Sequence, residues 1–410
     1  MVPVVVCLLV AAACHHHDED NSITPEPIPG GIAHRTVLLY MVGENSLAPY
    51  LASDLNELAQ GALSLSSKDV MLVYLDGIKL PRLFRYYVKG GQVYCDTVKK
   101  YNSDVISTDT TVMSSILHDA FNAYPAQGYG LIMWSHGNGW LYDSSRSSAA
   151  AIARRRTIGI DNGRNTKSNT GQAMEIEELA SVLGKLDKPL DFLFFDACFM
   201  QGAEVAYALR NCTRYIVGSP AEIPGPGAPY QKMVTPMFAD SADIAGMVDA
   251  YYSYYNDNEI KEGYTRYGAL VSAVKCDEME NLAQASRPLI IKYLHLGHDL
   301  DLNIAQRYLP ILTSAFPEYF DMNGVVSCVA DSAEYAAWKR AYDRAVPVRK
   351  GTSWWYSNYA GYCSVDFDQY TGFSFFVPRA PSMFPTYTKL NTAFTRTAWY
   401  KAAGWDEAGW

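Results

Sequence analysis

Beyond its first fourteen residues, this chain has no apolar run long enough to cross a bilayer as a helix, which takes about 20 residues. It has no excess of basic charge either. The formal net charge is −9, which argues against a nucleic-acid partner, because such a partner needs a concentrated basic face. Cysteine is sparse: of eight, six lie beyond residue 14, with no CxxC spacing and no histidine close by. That excludes a zinc site of the usual spacing and a small disulfide scaffold. One or two bridges among Cys95, Cys198, Cys212, Cys276, Cys328 and Cys363 stay open for an exported protein, and the sequence does not pair them. There is no G-x-S-x-G elbow for a serine hydrolase, no EF-hand spacing and no internal repeat. What is present is a chain of 410 residues, 49% apolar and 19% charged, with room for two domains or one large elaborated one.

The opening segment MVPVVVCLLVAAAC has signal-peptide length. Ala11, Ala12 and Ala13 precede Cys14 in a pattern that resembles a bacterial lipobox. Residues 1–14 are therefore the expected signal segment and Cys14 the expected lipidation site. Several acyl chains on one cysteine anchor a protein stably. HHHDEDNSITPEPIPGG follows, a polar, acidic, proline-bearing stretch expected to be a flexible tether over 15–33. Its DED resembles the surface-export signal of some Gram-negative lipoproteins. The expected location is thus outside the cytoplasm, lipid-anchored to the outer membrane and surface-exposed. His15, His16 and His17, in such a tether, are read as solvated.

From residue 34 to about 230, strands and helices alternate. TVLLYMVG (36–43), DVMLVYLDG (69–77), LIMW (131–134), LDFLFFDAC (190–198) and YIVG (215–218) are near-continuous apolar strands. Helical stretches separate most of them, and FRYYVKGGQVYCDTV (84–98) reads as a hairpin turning at Gly90-Gly91. This is an α/β pattern: a mostly parallel sheet with helices on both faces. In such sheets the working site lies beyond the carboxyl ends of the strands. Residues 231–410 mix long helical stretches with short strands such as GALVSAV, and are expected to form an α+β region packed on the first domain. Thirty tyrosines cluster late, in YYSYYND (251–257) and WWYSNYAGY (354–362). Core packing is expected of them, although such rings also suit recognition surfaces.

Two stretches carry chemistry. LIMWSHGNGW (131–140) runs an apolar strand into Ser-His-Gly, and FFDACFM (194–200) runs another into Asp-Ala-Cys. A histidine alone reads as a packing residue, and a cysteine alone as a buried apolar one. Together, His136 and Cys198 end two strands at one sheet edge, 62 residues apart, with the histidine first. Papain-like enzymes have the reverse order, whereas caspase-like ones place His upstream by about 50 residues. A thiol becomes a good nucleophile when a cationic His or a helix N-terminus lowers its pKa, and the helix expected near Gly202 is a source of the second influence.

WSHGNGW and FFDACFM, with IGID (158–161), SPAEIPGPGAPY (219–230) and YTGFSFFVP (370–378), resemble the clostripain (C11) family of caspase-like cysteine peptidases over roughly residues 35 to 400. The resemblance implies a caspase-like fold in which Cys198 is the nucleophile and His136 protonates the leaving amine. It also implies that the N–H groups of Gly137 and Cys198 meet the oxyanion. Cleavage after Arg or Lys is implied as well. Asp196 stands at the position of the acidic pocket residue, where a carboxylate takes a guanidinium bidentately, and Glu222 is a second candidate for the pocket wall. Pro224, Gly225 and Gly227 shape that loop.

The basic, small-residue-rich segment 144–169 reads as an exposed loop open to proteolysis. Family members often cut themselves there, and Arg154, Arg155 and Arg156 are the candidate sites; a solvated basic surface is the plain alternative. No cofactor is implied for the chemistry. Calcium, which some relatives require, finds candidate oxygens on Asp143, Asp161 and Asn162. The expected partners are protein or peptide substrates with Arg or Lys at the cleavage site, the chain itself as a substrate, and a membrane through the lipid anchor. Two rivals stand beside this reading. One is a non-catalytic caspase-like surface lipoprotein binding peptide or glycan, which loss of His136 or Cys198 would have marked. The other is an acyl-transfer enzyme using the same thiol.

Overall fold

The computed structural model describes residues 28–77, 79–141, 157–167, 169, 171–298, 301–309, 319–382 and 387–410. Each apolar run of the first half becomes a strand: β1 (Ala33–Val42), β2 (Asp69–Asp76), β5 (Ala126–Trp134), β8 (Phe192–Asp196) and β9 (Tyr215–Gly218). The hairpin at Gly90-Gly91 forms as β3 (Arg82–Lys89) and β4 (Gln92–Lys100), with both glycines at positive φ. A short pair, β6 (Ile158–Asp161) and β7 (Gln172–Met174), stands apart from the main sheet.

Further on come β10 (Lys261–Glu262), β11 (Thr265–Arg266), β12 (Leu270–Lys275), β13 (Phe320–Asp321), β14 (Val348–Gly351), β15 (Trp354–Ser357), β16 (Gly361–Ser364) and β17 (Ser374–Phe375). The main sheet runs β14-β12-β9-β8-β5-β1-β2-β3-β4. Its five central strands are parallel, and antiparallel pairs flank them on both sides. Strands β12 and β14 come from beyond residue 230, so both sides of the 230/231 division contribute to one sheet.

Alternate residues of β1 feed two separate cores, as period-2 geometry requires. Val37, Leu39 and Met41 join the side chains of α1 (Leu51–Gly61) on one face. Leu38, Tyr40 and Val42 join those of α2 (Thr110–Ala123), α3 (Ile176–Leu183) and α4 (Ala203–Leu209) on the other. The face with α1 also carries α5 (Tyr230–Met237) and α6 (Ile244–Asp257), where Tyr251 and Tyr255 are fully packed. Of the later tyrosine cluster, Trp355 is buried but Tyr359 and Tyr362 are exposed, so packing accounts for only part of it.

Helix starts follow local chemistry. Asp109 accepts from the Thr111 and Val112 amides at the start of α2, and Asp331 and Glu334 form a reciprocal capping box on the helix Ser332–Ala345. Helix α1 lies against α5 with no clearance at Gly61, where a Cβ would stand 2.6 Å from the Tyr230 carbonyl oxygen. Gly61→Ala is expected to destabilise the fold by about 1–3 kcal/mol through overpacking, read as a lower urea midpoint at unchanged slope.

Candidate active site

Register sets the site. In the parallel ladder Met41 pairs with Trp134, and Trp134 pairs with Asp196. His136 is two residues beyond Trp134 and Cys198 two beyond Asp196, so both emerge at the same height past the carboxyl ends of β5 and β8. They line one cleft of about 600 Å³, together with Ser46, Asn169, Glu222 and Glu262.

The histidine segment is braced from β1. Asn45, fully buried, donates its amide to the Val42 and Ile160 carbonyls, both at 2.8 Å, and to Ser135 Oγ at 3.3 Å. Ser135 Oγ donates to the Val42 carbonyl at 3.0 Å and accepts the Ile160 N–H at 3.2 Å. The next residue, His136, holds Nε2 3.0 Å from Ser46 Oγ. Asn169 bonds both the imidazole and Ser46.

The cysteine sits on a tight turn. Phe199 has φ +61°, a left-handed conformation uncommon for an aromatic residue. Its N–H reaches the Ala221 carbonyl at 2.9 Å, and the Ile223 N–H points at Cys198 Sγ from 3.4 Å. Gly137 lets the two segments touch, since a Cβ there would stand 2.7 Å from the Cys198 carbonyl oxygen. Tyr319 ties them together from outside: its hydroxyl donates to the Asn138 carbonyl at 2.8 Å while its ring stacks on Phe199. The C-terminal region adds a second brace, in which the Phe376 N–H donates to the buried Glu204 and the Ser374 N–H to the Gln201 carbonyl.

Asp196 is buried at the cleft floor. Its carboxylate accepts the Ala228 N–H and, at 2.7 Å, the Tyr230 hydroxyl. Gly227, at φ +64°, passes so close that a Cβ would lie 2.9 Å from Asp196 Oδ2. Glu222 is held by the backbone N–H and side-chain amide of Asn358, and Glu262 by the Tyr50 and Tyr267 hydroxyls.

The clostripain family model matches residues 39–410. The chain belongs to the clostripain family. It is a cysteine peptidase with the caspase-like α/β sheet of that family. It is similar to a secreted C11 cysteine protease from Bacteroides thetaiotaomicron in complex with an irreversible peptide inhibitor, at 31% identity and TM-score 0.76, over 91% of this chain and 99% of that one. An inactive zymogen C11 protease from Parabacteroides distasonis also matches at 31% identity, with TM-score 0.74, over 91% and 98% of the two chains. A B. fragilis cysteine protease is 35% identical with TM-score 0.53, over 59% of this chain and 98% of its own. No match was found among curated proteins.

The electrostatics of this clostripain-family site are those of a resting pair. Burial pushes the His136 imidazole down to about 4, against the Asn169 bond. Burial pushes the Cys198 thiol up to about 12, and the Glu222 carboxylate adds to the rise. The expected lowering of the thiol is therefore not found in this state: burial and Glu222 outweigh the Ile223 N–H, and α4 begins only at Ala203. Asp196 is itself raised to about 6 by burial, with Tyr230 and the Ala228 N–H opposing. A further acid, Asp54, accepts the Trp134 indole N–H at 2.7 Å and is raised to about 8 by burial and then by Asp196.

Asp161 lies buried beside Glu44 and Asp76, and Asn162 donates to the Glu44 carbonyl. Cys14, Asp143, Arg154, Arg155 and Arg156 lie outside the described residues. The six cysteines beyond residue 14 are all unbridged. Among the described residues no helix is long and apolar enough to cross a membrane.

Ser46, Asn169, Asn45 and Tyr319 were not singled out from sequence. Asp54 carried a readable sign: it occupies the apolar stripe of α1 between Leu51 and Leu58. In the free protein, alkylation of Cys198 by iodoacetamide is expected to be slow at neutral pH and to keep rising through pH 10. Glu222→Gln should accelerate it several-fold at pH 8 by removing a negative neighbour, with site-resolved mass spectrometry separating Cys198 from the exposed Cys328.

Proposed function

We propose that this chain is an exported endopeptidase that hydrolyses peptide bonds after Arg or Lys through His136 and Cys198. One observation carries the specificity: Asp196, Glu222 and Glu262 line the cleft that holds the dyad, and no Lys or Arg lines it among the described residues. A cation is the side chain that such a wall attracts. Its planar fork lets an arginine take a buried carboxylate bidentately.

In this reading the thiol proton passes to His136 as sulfur bonds to the scissile carbonyl carbon. The N–H groups of Gly137 and Cys198 receive the negative oxygen. The C–N bond breaks, the proton goes to the leaving amine, and water then splits the thioester to release the acid and restore the thiol. Substrate charge assists the first step. A guanidinium or ammonium among these carboxylates offsets the negative field that helps keep Cys198 protonated. Basic side chains thereby gain in kcat as well as in binding.

Self-activation at Arg154, Arg155 or Arg156 suits the same specificity, and the zymogen state of the Parabacteroides distasonis relative supports it by analogy. Export and lipid anchoring at Cys14 rest on the N-terminal pattern and on the secreted state of the Bacteroides thetaiotaomicron relative. The chemistry draws on side chains and backbone amides alone.

The test compares the wild type with Cys198→Ala on a denaturing gel and on fluorogenic peptides ending in Arg, Lys or Asp. The wild type is expected to split near 154–156 and to cleave basic peptides only, and the variant to do neither. A wild type that stays inert after a trypsin nick in that segment would sink the reading in favour of a binding module. Asp196→Asn is expected to lower kcat/KM on Arg peptides by roughly 30-fold or more, the scale of a lost buried charge pair, while thermal stability holds.

A further inference from the structure

The aromatic segment 354–362 takes no part in the reaction, and its strand pattern is not the ordinary one. In the hairpin of β15 and β16, Trp354 and Tyr356 lie on one face, and Tyr362, paired across from Tyr356, shares it. The other face, with Trp355, Ser357 and Cys363, is buried. Alternation of this kind ordinarily leaves polar residues on the outward face. Here that face is aromatic: Trp354 and Tyr356 are half-buried, and Tyr362 is 58% exposed.

The rings form a continuous ladder. Tyr267, just past β11, meets Tyr356 at 6.2 Å between centroids, Tyr356 meets Tyr362 at 5.3 Å and Tyr362 meets Trp354 at 5.3 Å, each pair edge to face. Their rims are pinned. The Arg266 N–H donates to the Tyr362 hydroxyl at 3.1 Å, and the Tyr267 hydroxyl donates to Glu262 at 2.7 Å. Gly268 lets the chain after β11 lie against β15, since a Cβ there would stand 2.1 Å from the Trp354 carbonyl oxygen. Rings held in this way have little side-chain freedom left to lose on binding. Contiguous exposed apolar surface with a polar rim marks an interaction site.

One end of the ladder lies in the cleft. Tyr267 and Tyr356 line it with the dyad, and Asn358, in the hairpin turn, holds the Glu222 carboxylate through its N–H at 3.2 Å. The strand order fixes which part of a substrate reaches it. His136 follows β5, Cys198 follows β8 and Glu222 follows β9, in that order across the sheet. The leaving amine departs toward His136, on the β5 side. The residues before the scissile bond therefore run the other way, over the Glu222 loop and toward the hairpin. We infer that this ladder is a substrate subsite that selects aromatic or large apolar side chains at the second to fourth positions before the scissile bond. The reach matches: two steps of 5.3 Å from Tyr356 to Trp354 cover about three extended residues at ~3.3 Å each. A second basic side chain is disfavoured there, because the Arg266 guanidinium already lies over Trp354 at 5.6 Å. Selection in cleavage rests on the peptidase reading, whereas peptide binding to the ladder does not.

The test uses labelled peptides ending in Arg, with Phe, Leu, Asp or Gly placed in turn at each of the three preceding positions. Binding is read by fluorescence anisotropy in the Cys198→Ala chain, which has no thiol chemistry, and cleavage by kcat/KM in the wild type with the matching fluorogenic amides. Phe or Leu at one or more of these positions is expected to bind and react about 10-fold better than Gly or Asp, the scale of one well-packed ring contact. In Tyr356→Ser and in Tyr362→Ser that ratio should fall toward one. It compares two peptides on one protein, so a partial loss of folded chain cancels. The peptide with glycine at all three positions reports the dyad and Asp196 by themselves. If the wild type cuts no peptide while the Cys198→Ala chain still prefers Phe, the peptidase reading fails and the subsite stands. A flat profile at all three positions, or a preference that survives in both variants, would overturn the subsite. So would binding of maltohexaose or chitohexaose that displaces every peptide and is lost in the same variants, since the rings would then serve a glycan.

Discussion

Trp134 pairs with Asp196 in the parallel ladder of β5 and β8, and the site depends on that register. A one-residue slip would send alternate side chains to the wrong face, and a slip of two would leave His136 and Cys198 at different heights. Both strands are buried on both faces, so apolar packing penalises either error. The rest of the site is built on this alignment. Gly137 permits the approach of the two segments, Tyr319 joins them, and the turn at Phe199 aims the thiol into the cleft.

Much of this was legible in the sequence. Five apolar runs gave the parallel core, and two blocks ending in His-Gly and Asp-Ala-Cys gave the edge at which chemistry sits. The α+β region was less legible. GALVSAV announces a strand, but a seven-residue run does not state its neighbour, and β12 turns out to pair with β9 and β14 in the main sheet. YTGFSFFVP forms only the two-residue β17, because Ser374 bonds across to the Gln201 carbonyl at the cysteine turn. Ser46 and Asn169 are small polar residues in loops, 90 and 33 positions from His136, and only the fold brings them to it. Of the buried acids Glu44, Asp76 and Asp161, only Asp161 was singled out from sequence, and the fold alone brings the three together.

The molecule keeps several buried acids near its working edge. Asp54, Asp196 and Glu222 surround the cleft floor, and Glu44, Asp76 and Asp161 lie behind the histidine segment. Local consistency is broken here, as functional sites commonly break it. Among the described residues, no Lys or Arg lines the cleft of the first group. In the proposed function, a basic substrate side chain answers the first group. In this account catalysis and specificity are linked, since burial holds the thiol at rest and the carboxylates that attract the substrate, Glu222 foremost, add to that hold until it arrives.

The most direct test of that account uses an irreversible peptidyl ketone ending in Arg and an otherwise identical one ending in Asp, each followed by intact-mass and peptide-level mass spectrometry. The account predicts a single adduct on Cys198 from the Arg probe, slowed strongly in His136→Ala and in Asp196→Asn, with none from the Asp probe. Equal labelling by both probes, labelling at Cys328 in place of Cys198, or no adduct after the segment preceding residue 157 has been nicked would contradict it.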